Sequence, residues 1–132
     1  MTPYRIAYWV STALLCLIYL GGAAAYIMQR PMVEEGFANF GYPSYLITVL
    51  IVAKIAAPLA ILSRVSVPLS DLAYAGMFFH LLLAISAHLN VGDGGFFPAS
   101  VGLVLLLISF FTQNRARKTP SPNVPQQFGS LA

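Results

Sequence analysis

Four long apolar stretches, parted by short segments rich in polar residues, glycine or proline, dominate the chain. They run Ala7–Met28, Tyr45–Leu62, Pro68–Leu89 and Phe97–Gln113. Each reaches or approaches the roughly 20 residues that an α-helix needs to cross a bilayer, so the pattern predicts four spans. The fourth is the shortest, and a locally thinned bilayer accommodates it. Pro68 suits the first turn of its helix, where its missing N–H costs nothing, and Asp71 in that turn would complement the helix dipole. Pro58 falls inside the second stretch, where it frees a carbonyl and predicts a kink. The first stretch follows Arg5 and resembles a signal peptide, but it exceeds the roughly 7–15 residues of such a core. We therefore read it as a retained helix.

The connections are uneven. Gln29–Ser44 is longer than a turn requires, and Val33, Phe37 and Phe40 recur in it at helical spacing, with Glu34 and Glu35 turned away. That is the pattern of a short helix lying in the membrane interface. Gly41-Tyr42-Pro43 then breaks the chain. The second outer connection, Asn90–Phe97, carries three glycines and reads as a turn. The expected fold is an all-α integral membrane four-helix bundle, residues 1–118, with that interfacial helix in the first outer loop. Residues 119–132, rich in Pro, Ser and Gln, are expected to form a disordered cytoplasmic tail.

Composition agrees with this pattern. Hydrophobic residues make up 58% of the 132 residues and charged residues 8%, against about 25% charged in soluble domains. The net charge of +3 is scattered rather than gathered into a stripe, so nucleic acid is not an expected partner. The single cysteine, Cys16, cannot form an intrachain disulfide or a Cys-x-x-Cys relay. Arg5, Arg64, Arg115, Arg117 and Lys118 fall on one side if the spans alternate, and only Arg30 falls in a loop on the other. The positive-inside rule then puts both termini in the cytoplasm, with a bacterial inner (plasma) membrane as the expected location.

The chemistry should lie where ionisable groups enter the spans. A charge near the bilayer centre costs roughly 2.5–3.5 kcal/mol on insertion scales, and such residues usually face a cavity or a partner. Lys54, His80 and Tyr19 fall near mid-depth on three different helices. Ala73, Gly76, Ala84 and Ala87 share a face with His80 at roughly 100° per residue, a small-residue stripe that suits close helix approach. On the first helix Tyr8, Thr12, Tyr19, Gly22 and Tyr26 share a face, with Tyr8 and Tyr26 near the two interfaces. Structural readings stand beside these. Lys54 could neutralise itself or satisfy a carbonyl freed by Pro58, His80 could be neutral interhelical glue, and Asp71 could merely start a helix. Glu34, Glu35, His88 and Asp93 form either a polar mouth or solvated loop charges. His80 and His88 are two turns apart, too far to chelate one ion as an i, i+4 pair, so no metal site is expected. Phosphate loops, nucleophile elbows and covalent haem motifs are absent from the sequence.

The ordered segments Glu34-Glu35-Gly36-Phe37, Gly41-Tyr42-Pro43-Ser44-Tyr45-Leu46, Lys54, Asp71-Leu72-Ala73-Tyr74-Ala75-Gly76-Met77-Phe78, Ser86-Ala87-His88 and Gly92-Asp93 resemble the DoxX-like family over about residues 5–115. The chain departs from the family pattern at Asp71-Leu72, where members often carry Glu-Trp, and at His80, where an acidic or apolar residue is common. The resemblance implies a four-helix membrane bundle but not one activity. The family name comes from a small subunit of a thiosulfate:quinone oxidoreductase, and relatives include a receptor-assembly chaperone. Fold analogy does not choose between them.

Two functions from different classes follow. In the first, Lys54, His80 and Tyr19 are the catalytic candidates of a site inside the bundle. Tyr74, Asp71, His88, Glu34 and Glu35 are its candidate ligand-binding residues. The ligand is a lipophilic small molecule, a quinone or a substrate for acid–base isomerisation or ring opening. Redox chemistry would require a membrane redox partner, since the chain has no covalent cofactor. In the second, the chain is an assembly factor or accessory subunit that docks another membrane protein through its small-residue faces. Membrane lipids surround it in either case. An internal cavity reaching Lys54 and His80 favours the first; a solid bundle favours the second.

Overall fold

The computed structural model describes residues 1–129. Its elements are α1 (Pro3–Met28), α2 (Arg30–Phe40), α3 (Tyr45–Ser63), α4 (Val67–Val91), α5 (Phe96–Ala116) and a single 3-10 turn at Gln126–Phe128. Helices α1, α3, α4 and α5 are long and apolar enough to cross a membrane. The chain is an all-α integral membrane protein, as its pattern predicts.

Local chemistry sets where the helices start and stop. The Thr2 hydroxyl accepts from the Arg5 N–H and caps α1 four residues ahead of the apolar stretch. The Ser66 hydroxyl does the same for α4 through the Leu69 N–H, with proline at the head of the helix. Because α4 begins at Val67, Asp71 lies beyond its first turn rather than in it. The amphipathic α2 follows α1 almost without a break and ends at Gly41, whose φ of 83° is a left-handed conformation that glycine adopts without steric cost. Helix α3 ends in the same left-handed conformation at Arg64, φ 48°. A side chain pays a steric penalty there. The Arg64 guanidinium offsets it by donating to Gln113 Oε1 at 2.7 Å and to the Thr119 carbonyl at 2.7 Å.

The four long helices form a closed ring in which α1 packs on α3 and α5, and α4 completes the circuit between them. Leu15, Tyr19, Ile61, Tyr74, Met77, Leu81 and Leu106 fill its core. Helix α2 lies against α1 and α4 at one end, burying Phe37 against Tyr26, Phe40 and Tyr42. At the other end the bases gather. Arg117 donates to the Leu62 carbonyl and to the Tyr8 hydroxyl, and Arg115 stacks over Tyr4.

The segment after α5 differs from the disordered tail that its composition suggests. Residues 119–129 fold back over the basic end, with Ser121 and Val124 buried. Asn114 exchanges two hydrogen bonds with the Ser121 backbone, Ser121 and Asn123 donate to Asp71, and Phe128 stacks on Phe111. Ser121 and Asn123 hold this strap through polar anchors rather than hydrophobic periodicity, which is why composition misreads it. Residues 130–132 of the expected tail lie outside the described residues.

Candidate functional site

Helix α3 turns Lys54, the tenth of its 19 residues, toward α1. Its ammonium lies 5.1 Å from the centre of the Tyr19 ring and 4.9 Å from that of Tyr26, so two aromatic faces hold the cation. Gly22 stands between those tyrosines on α1. A Cβ placed there would come within 3.3 Å of Nζ. The space that Gly22 leaves is the space the ammonium uses. Among the described residues Nζ makes no hydrogen bond, so neither the carbonyl freed by Pro58 nor any carboxylate satisfies it.

Across the bundle, α4 brings His80 to the same tyrosine. The Tyr19 hydroxyl lies 2.9 Å from His80 Nδ1 and 3.3 Å from the Met77 carbonyl. A phenol has one proton, so the geometry admits two arrangements. If Tyr19 donates to His80, Nε2 carries the ring proton and is a donor. If Tyr19 donates to Met77, Nδ1–H donates to Tyr19 and Nε2 becomes an acceptor. The pair can therefore meet either a carbonyl or a hydroxyl.

A cavity of about 320 Å³ reaches all three residues. Its walls are Ala53, Ala56, Ala57 and Ala60 of α3 and Leu69, Ala73 and Gly76 of α4. Gly76 is exposed, and nothing lies within 4 Å of a Cβ placed on it. Ala73 packs against the core, but Gly76 does not bring helices together as the spacing of the stripe suggests. It lines a cleft between α3 and α4 that opens sideways. A second cavity of about 290 Å³ continues toward α2, sharing Leu50 and His80 with the first and bounded by Tyr26, Phe37, Phe40 and His88.

The other candidates lie apart from this centre. His88 lines the second cavity but turns Nδ1 to Asp93 at 2.8 Å. The Gly95 N–H, then His88, hold the exposed Asp93 carboxyl below its ordinary range. Glu34 pairs with Arg30 on the exposed side of α2, and Glu35 is exposed beside it; neither lines a cavity. Asp71 anchors the C-terminal strap. Tyr74 faces away from Lys54 and joins a hydroxyl chain, Tyr74–Ser109–Thr12, with both links 2.6 Å, that ties α4, α5 and α1. Tyr26 and Gly22 belong to the Lys54 site, although their sequence positions suggest only an interface residue and a helix contact. Their shared face with Tyr19 was the available signal.

No curated protein and no solved structure matches this chain. The DoxX-like family model, in contrast, matches residues 10–112, which takes in α1 from Val10 onward, α2 to α4, and all but the last turn of α5. With four apolar helices in place over that range, this membrane protein belongs to the DoxX-like family.

Proposed function

We propose that the chain binds a lipophilic small molecule in the α3–α4 cleft, with an oxygen of the ligand placed among Lys54, His80 and Tyr19. The observation that carries this reading is the cavity that reaches all three polar groups. Its apolar walls and sideways opening suit a molecule that arrives through the bilayer. A Tyr19–His80 bond that can run in either direction suits an oxygen that changes between carbonyl and hydroxyl, as in a quinone. Lys54 would donate to that oxygen, and His80 would exchange the proton that accompanies electrons from a membrane redox partner. The same groups serve acid–base isomerisation or ring opening without electron transfer. The basic end, where Arg64, Arg115 and Arg117 converge, would face the cytoplasm of a bacterial inner membrane.

The test is mass spectrometry of lipophilic molecules that co-purify in mild detergent with the parent, Lys54→Met and His80→Leu chains. The expected result is a lipophile in the parent that both folded variants lack. Equal content in all three, or none in any, would favour a cleft that receives a helix of another membrane protein instead.

A further inference from the structure

We infer that the head of the ligand is an oxyanion, so that the α3–α4 cleft selects amphiphilic acids over neutral molecules of the same shape. This rests on the cleft being a ligand site and adds the charge of what it takes, favouring an acid substrate over a neutral quinone among the ligands proposed above. Lys54 holds its amine at the middle of a membrane-spanning helix, 9% exposed, with aromatic rings on two sides and the cavity beyond. Tyrosine faces attract an ammonium but leave its positive charge uncompensated.

The four carboxylates of the chain are all engaged or placed elsewhere. Glu34 is paired with Arg30 and Glu35 is exposed on α2, Asp93 binds His88, and Asp71 takes the Ser121 and Asn123 donors at the basic end. Among the described residues no acidic side chain forms an ion pair with Lys54. Intramembrane cations ordinarily pair with a carboxylate or a carbonyl, and here the cavity is where such a group would enter. His80 adds a second donor in the tautomer that puts the proton on Nε2, so one carboxylate oxygen can meet each base. Alanine walls, with no further charged side chain among the lining residues, leave the body of the ligand to be recognised by apolar contact alone.

The test uses the full chain in lipid nanodiscs with isotope-labelled lysine. Lys54 and Lys118 are the two lysines of the sequence, so the Lys54 resonance reads the site directly. The probes are dodecanoate, methyl dodecanoate and an uncharged short-chain benzoquinone. The expected result is a saturable Lys54 shift with dodecanoate and affinity weaker by about tenfold or more for both neutral probes, the scale of one charge-assisted hydrogen bond. Lys54→Gln should remove the preference for the acid and Lys54→Arg should retain part of it. If the ester or the quinone binds as tightly as dodecanoate, the cleft does not read charge; the inference falls and the proposed function stands. If no probe moves the Lys54 resonance, both fall. The probe comparison needs only the parent chain, so a variant that fails to fold does not remove the test.

Discussion

At the scale of single residues, Lys54 shows how cost and purpose separate. An ammonium at mid-depth opposes insertion by roughly 2.5–3.5 kcal/mol, and neither a carbonyl nor a carboxylate of the described residues offsets it. Replacing it with the isosteric, uncharged Lys54→Met should therefore leave thermal stability unchanged or raise it, while ligand is lost. A melting temperature lowered by several degrees would show that the charge has a structural partner. Gly22 gives a finer test. Gly22→Val places carbon atoms where Nζ lies, and the flexible lysine can move aside, so the fold should survive while the ammonium leaves the two tyrosine rings. Folded protein with undiminished ligand content would contradict that role for Gly22. Lys54, His80 and Tyr19 were legible because ionisable and hydroxyl groups stand out in apolar stretches. Tyr26 was obscured because tyrosine is at home near an interface, and only the position of the lysine side chain reveals it.

At the scale of elements, the stripe on α4 does not pack as its spacing suggests, and a hydroxyl chain through α5 ties the helices instead. Small residues on a membrane helix predict close packing, yet Gly76 borders empty space and the buried face of α4 is instead Ser70, Tyr74, Met77 and Leu81. Periodicity locates a face but does not say whether a helix or a cavity meets it. Gly76→Leu should consequently fill the cleft, keep the fold and exclude ligand; loss of the folded state in detergent would show that α3 and α4 close upon that glycine. Ser109 carries the contrary expectation. Its hydroxyl joins Tyr74 and Thr12 in the fully buried core, and interhelical hydrogen bonds in membranes average about 0.6 kcal/mol each. Ser109→Ala should cost about 1–2 kcal/mol, measured by unfolding in mixed micelles, without reducing ligand content. An unchanged stability would mean that Tyr74 and Thr12 find each other or other partners.

At the scale of the molecule, the number of spans, their antiparallel order and the helix between the first two spans were legible because apolar length and turn residues are local signals. The C-terminal strap was not, since Asp71, Asn114 and Ser121 meet only after α4 and α5 pack side by side. Orientation in the membrane is the expectation that the bases set, and it is open to test: with Cys16→Ser as background, Lys118→Cys and Asn90→Cys should react with an impermeant thiol reagent from opposite sides, the latter from outside the cell. Reaction of both from one side would overturn a four-span topology. The central claim is occupancy of the α3–α4 cleft, and native mass spectrometry of the parent and Gly76→Leu chains from nanodiscs measures it most directly. The account predicts a discrete lipophile bound to the parent and absent from the folded variant. A folded Gly76→Leu chain carrying the same bound mass at the same occupancy would contradict it.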